Sequence, residues 1–145
     1  MTQRLKKDSI SRELELRATA AMLQHAIFRG DPAVAARLFA RHPDVATLDL
    51  YCAVAAGNLA EVERRLAADP AAASRAGGPL DWPPLLYLAY MRLPGAAPQS
   101  VEIARALLER GADPGFRDKA GDTPADAARK RGFEALGALL SASRA

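Results

Sequence analysis

The sequence predicts an all-α fold built from a repeated pair of helices, and three observations carry that expectation. Of 145 residues, 33 are alanine and only eight are aromatic; alanine is the best helix former, and Leu, Arg and Glu follow closely. Glycine and proline recur at matched distances: Gly30 and Gly57 are 27 residues apart, and so are Pro43 and Pro70. No run alternates β-branched with polar residues, so a sheet is not expected.

Four segments read as helix, tight turn, helix. The first pairs Met22–Gly30 with Pro32–Arg41, and the second pairs Leu50–Gly57 with Leu59–Ala68. The third pairs Pro84–Tyr90 with Ser100–Arg110, and the fourth pairs Thr123–Gly132 with Glu134–Leu140. Gly30, Gly57 and Gly132 stand where a first helix must stop, since glycine closes a helix in the left-handed conformation at little cost. Gly111 does the same for the third segment's second helix. Pro43 and Pro70 lie just past second helices, which proline cannot continue. Val101, Ala104, Leu107 and Leu108 follow one helical face, as do Leu59, Val62 and Leu66. Between them Glu61, Glu63, Arg64, Glu102, Arg105 and Glu109 are expected to face water. One such pair cannot bury its apolar face alone, so neighbouring pairs must stack.

Composition limits the function classes. Twenty basic and 17 acidic residues leave a net charge of +3, without the one-sided clustering of Lys and Arg that marks a nucleic-acid surface. The short basic stretches Arg4, Lys6, Lys7 and Arg129, Lys130, Arg131 read as solvated surface. Cys52 is the only cysteine, so no intrachain disulfide forms. The start, Met1–Ser11, lacks an apolar signal region, and no stretch approaches the ~20 apolar residues needed to cross a bilayer. A soluble, cytoplasmic, monomeric protein with no membrane role is expected.

The C-terminal half resembles the ankyrin repeat family. Val101-Glu-Ile-Ala-Arg-Ala-Leu-Leu-Glu-Arg-Gly-Ala-Asp113 looks like that family's second helix and exit. Asp118-Lys-Ala-Gly-Asp-Thr-Pro-Ala-Asp-Ala-Ala128 looks like its hairpin tip and the following helix start. Gly121 permits the tight turn, Thr123 caps the next helix, and Pro124 suits the first helical position. The resemblance implies a solenoid of about four helix-turn-helix repeats: 20–47, 48–80, 81–117 and 118–141. The first repeat is atypical, with only His42–Leu48 joining it to the next. The third carries Leu93–Pro98, a longer connection than the family uses, and Trp82-Pro-Pro84 where Thr-Pro is usual; Leu85 or Leu86 takes the consensus Leu position. Residues 1–19 have no repeat match. Ile10, Leu14, Ala18 and Ala21 have near-helical spacing, so a capping helix and a frayed tail both remain open; 142–145 form a short tail.

No catalytic constellation is visible. His25 aligns with Cys52 at the inward position of a first helix, where both read as core residues. His42 ends a helix beside Pro43, where its charge suits the helix dipole. The spacing 25, 42, 52 matches no zinc site. No nucleophile elbow or phosphate-binding glycine motif occurs, and no metal or cofactor is expected.

The resemblance instead implies a protein-interaction module, whose hairpin tips and first helices form a concave surface for an unidentified protein partner. Trp82 is the leading candidate, as an exposed aromatic anchor or, alternatively, a ring packed under Leu93–Pro98. Asp81, Lys119 and Asp122 occupy hairpin tips, either giving charge specificity or simply solvated. Tyr90, Met91 and Phe28 end first helices and would extend an apolar patch, though core packing also accounts for Tyr90. Tyr51 falls at the family's consensus His position. Other readings are an enzyme or small-molecule binder using the long third-repeat loop, and a weak nucleic-acid binder using the basic ends.

Overall fold

The computed structural model describes residues 2–29, 32–78, 80–90 and 99–144, with side chains from residue 10 onward except 27, 28, 32 and 144. Among these residues the chain is helical: α1 (Thr2–Phe28), α2 (Pro32–Arg41), α3 (Leu50–Ala56), α4 (Leu59–Ala68), α5 (Pro84–Tyr90), α6 (Ser100–Glu109), α7 (Pro124–Lys130) and α8 (Glu134–Arg144). Pro43 and Pro70 each open a short 3-10 turn, Pro43–Thr47 and Pro70–Ser74. The one bridge of β type among the described residues joins Gly77 and Trp82.

Local chemistry sets these boundaries. Asp49 caps α3 by accepting the Cys52 N–H, and Asn58 caps α4 by accepting the Glu61 N–H. Thr123 and Asp126 exchange bonds in a capping box at α7, with Pro124 at its first position, which satisfies two N–H groups the helix itself cannot. Gly57 closes α3 at φ 72°.

Helices pack in consecutive pairs: α1 with α2, α3 with α4, α5 with α6, α7 with α8. The pairs then stack, α5 lying between α3 and α7, and α6 between α4 and α8. The Pro43–Thr47 turn joins the first pair to the rest, touching α1, α2 and α3. Helical pairs laid side by side are what the glycine and proline spacing implies. Between them run Val62, Leu66, Leu86, Leu88, Ile103, Leu107 and Leu140, all fully buried; each contributes about 1.5–3 kcal/mol of transfer free energy. Ala53, Ala89, Ala104, Ala127 and Ala128 are equally buried, and their small size lets the helices approach closely. Leu85 and Leu86 are both buried.

The N-terminal segment is helical, as the spacing of Ile10, Leu14, Ala18 and Ala21 allows: α1 runs unbroken from Thr2 to Phe28. Ile10 and Leu14 of that spacing are 58% and 62% exposed, and Met22 beyond it is 59% exposed. Two expectations need correction. His25 is exposed, and Gln24 takes the inward position expected of it. The buried residues Ala20, Leu23 and Gln24 stand at i, i+3 and i+4, one helical face, and His25 lies about 100° further round. Glu61 does not face water: its side chain is only 11% exposed and binds both Arg64 and Arg65.

Candidate functional site

The residues singled out around Trp82 converge on a hairpin between the second and third helix pairs. Gly77 and Trp82 exchange backbone N–H···O bonds, each 3.1 Å, and Asp81 N–H donates to Gly78 O at 3.1 Å. Asp81 adopts φ 54°, the left-handed region that aspartate enters more readily than most side chains.

Two tyrosines fix this hairpin to the helices below. Tyr51, on α3, donates its hydroxyl to Arg75 O at 2.8 Å. Tyr87, on α5 and fully buried, donates to Gly77 O at 2.7 Å and accepts from Leu80 N–H at 3.0 Å. The approach requires two glycines. A Cβ on Gly77 would lie 2.5 Å from the Tyr51 hydroxyl oxygen, and one on Gly78 would lie 2.6 Å from that of Tyr87.

The rings continue as a row. Tyr51 and Tyr87 have centroids 5.3 Å apart, Tyr87 and Trp82 5.5 Å, and Trp82 and Tyr90 5.0 Å, all tilted. Tilted pairs at these distances suit the ring quadrupoles. At the far end the Arg131 guanidinium lies 4.9 Å from the centre of the Tyr90 ring, within cation–π range. Tyr51, Trp82 and Tyr90 remain half-buried. Tyr90 donates to Asp118 Oδ2 at 3.0 Å; burial first, and then this carboxylate, push its hydroxyl up to about 12. Asp118 also accepts the N–H groups of Ala120 and Asp122, which shapes the next hairpin tip. There Asp122 pairs with Lys130 at 2.7 Å.

A second polar feature lies at the α1–α3 contact. A small cavity of about 130 Å³ is lined by Arg17, Ala20, Leu48, Asp49, Cys52 and Gly78. Burial pushes the Cys52 thiol well above its ordinary range, which disfavours the reactive thiolate. Gln24 Nε2 donates to Cys52 Sγ at 3.7 Å, while Gln24 Oε1 is buried without a hydrogen-bond partner among the described residues. An open groove of about 280 Å³ lies beside Asp113, Pro114, Gly115 and Ser143. Pockets for small organic ligands run to about 300–1,000 Å³. No described group of three His, Cys, Asp or Glu is placed to hold a metal ion, and no described helix is long and apolar enough to cross a membrane.

Over 64 residues the chain is 44% identical to the "Putative ankyrin repeat protein YahD" of Escherichia coli (strain K12). The match takes in 44% of this chain and 31% of that protein, so the chain spans about a third of the relative's length. No family model and no solved structure matches. The partial match points the same way as the Gly-Ala-Asp and Thr-Pro motifs, to ankyrin-like helical repeats.

The structure therefore brings Trp82, Asp81 and Tyr90 together on one surface, and places Asp122 on the adjacent hairpin. The indole is half-buried against Tyr87 and Tyr90. Lys119 is exposed at the second tip. Met91 and Leu93–Pro98 lie outside the described residues, as does the Phe28 side chain. Arg131, Asp118 and the Gly77-Gly78 pair were not picked out by the sequence. Arg131 sits in a basic run read as solvated surface, whereas two consecutive glycines before Pro79 are a usable turn signal.

Proposed function

We propose that this chain is an ankyrin-type repeat protein that works as a protein-interaction module, without catalysis. Repeats at about 20–47, 48–80, 81–117 and 118–141 would place the hairpin tips and first helices on one binding face. The observation that carries the reading is the row Tyr51, Trp82 and Tyr90, held half-exposed by a hairpin that is itself fixed by hydroxyl–carbonyl bonds. A surface ordered before binding loses little entropy when it meets a partner, and aromatic anchors dominate interface energies. The partial similarity to an ankyrin repeat protein supports the same reading.

Pull-down from the native cell with wild type and Trp82→Ala tests it. The variant should retain its helical content and weaken partner binding by more than ~1 kcal/mol, as truncation of an anchor does. Equal recovery of every captured protein would remove Trp82 from the binding surface.

A further inference from the structure

The aromatic row also has an electrostatic character, and the inference drawn from it rests on the interaction-module reading above. Carboxylates border it along its length. Asp49 and Asp81 bear on Tyr51, and Asp118 and Asp122 bear on Tyr90. The cations nearby are largely engaged: Arg75 pairs with Asp69, and Lys130 with Asp122. Asp81 forms no ion pair with any described residue and is exposed at the hairpin tip, one position from Trp82. The chain already shows what this surface accepts, because the Arg131 guanidinium rests over the Tyr90 ring.

We propose that the row binds an arginine side chain from an extended segment of the partner, its guanidinium stacked on Trp82 and hydrogen-bonded to the Asp81 carboxylate. Tryptophan is the best ring for a cation, and the planar guanidinium both stacks on aromatic faces and offers a fork of donors to a carboxylate. An acidic segment would meet the charges of Asp49, Asp81 and Asp118. A purely apolar one would cover Asp81 and leave it without its water. A lysine offers the charge without the fork.

Trp82 is the chain's single tryptophan, so its fluorescence reports on this surface directly. The probes are Gly/Ser peptides carrying three spaced arginines, with matched peptides carrying lysine, citrulline or glutamate. At low salt the arginine peptide should change Trp82 emission saturably, with the lysine and citrulline peptides several-fold weaker and the glutamate peptide silent. Asp81→Asn should weaken the arginine peptide about ten-fold, since a charge-assisted bond becomes a neutral one. Asparagine tolerates the same positive φ, so the hairpin is kept, and unchanged circular dichroism checks this. Raising ionic strength to about 0.2 M should also weaken binding, because exposed pairs are screened.

Arginine binding no tighter than glutamate binding, or indifferent to Asp81→Asn, overturns the proposal. The two readings fail separately. Protein capture that depends on Trp82 while the arginine peptide is silent leaves the module reading standing and removes the arginine. Saturable peptide binding without any Trp82-dependent capture leaves the arginine site and removes the module reading.

Discussion

Tyr51 and Tyr87 belong to successive helix pairs, yet their hydroxyls hold carbonyls only two residues apart, Arg75 O at 2.8 Å and Gly77 O at 2.7 Å. The rings lie 5.3 Å from each other. One loop is thus tied to two first helices at once, and the position of Trp82 follows from that double attachment.

Tyr87→Phe removes the more buried of the two ties. It leaves Leu80 N–H without the hydroxyl it donates to, and Gly77 O with the Trp82 N–H alone, a loss of about 1–3 kcal/mol for a buried polar group. Tyr51→Phe should cost less, about 0.5–1.5 kcal/mol for a single bond at a partly exposed site. Urea unfolding of both variants measures the difference, and equal midpoints would show that the hairpin is held by something else.

Two glycines separate backbone strain from crowding. Gly78 and Gly132 have similar positive φ, 73° and 79°, but a Cβ at Gly78 meets the Tyr87 hydroxyl whereas one at Gly132 meets nothing within 4 Å. Gly132→Ala should cost about 1 kcal/mol, from the left-handed backbone alone. Gly78→Ala adds displacement of a fully buried ring, typically about 1–3 kcal/mol more for an overpacked site. It should also shift Trp82 fluorescence, which Gly132→Ala should leave alone.

Gln24 makes a poor bond to Cys52 Sγ, and its Oε1 is unsatisfied among the described residues. Replacing a buried, half-satisfied polar group by an apolar one of similar size is near neutral or stabilising. Gln24→Met should therefore raise the unfolding midpoint or leave it unchanged. A loss above about 1 kcal/mol, the typical worth of a made hydrogen bond, would show that the amide is better satisfied than its contacts indicate.

The Tyr90 hydroxyl ionises near 10 as an ordinary phenol and near about 12 in the fold. The folded chain holds this proton more tightly, so the contribution to stability is complete below pH 10 and is lost as pH rises through about 12. Unfolding midpoints measured across that window should fall with pH, and fall less steeply in Tyr90→Phe. Identical slopes would show that Tyr90 ionises freely in the folded chain.

Much of this architecture is legible in the sequence because its causes are local. Thr123-Pro124 writes a helix start, Gly57 a helix end, and Leu59, Val62 and Leu66 an inner face, each within a few residues. The phase of α1 was not legible. Its apolar residues Ile10, Leu14 and Met22 point outward while polar Gln24 points in, so hydrophobic periodicity indicates the wrong face. The surroundings of Trp82 were legible only as alternatives, because Tyr51 lies 31 residues before it and reaches the loop only through the Gly77-Gly78 gap. The role of Arg131 is not legible for the same reason: its partner ring is 41 residues away.

Because the described helix pairs lean chiefly on the pairs before and after them in the row, mechanical load has no single keystone to break. Tension applied between Thr2 and Arg144 acts first on the α1–α2 and α7–α8 pairs, the outermost of the described row. A molecule stretched in optical tweezers should lengthen in several small steps, its ends peeling away while the tyrosine-anchored loop at the centre holds longest.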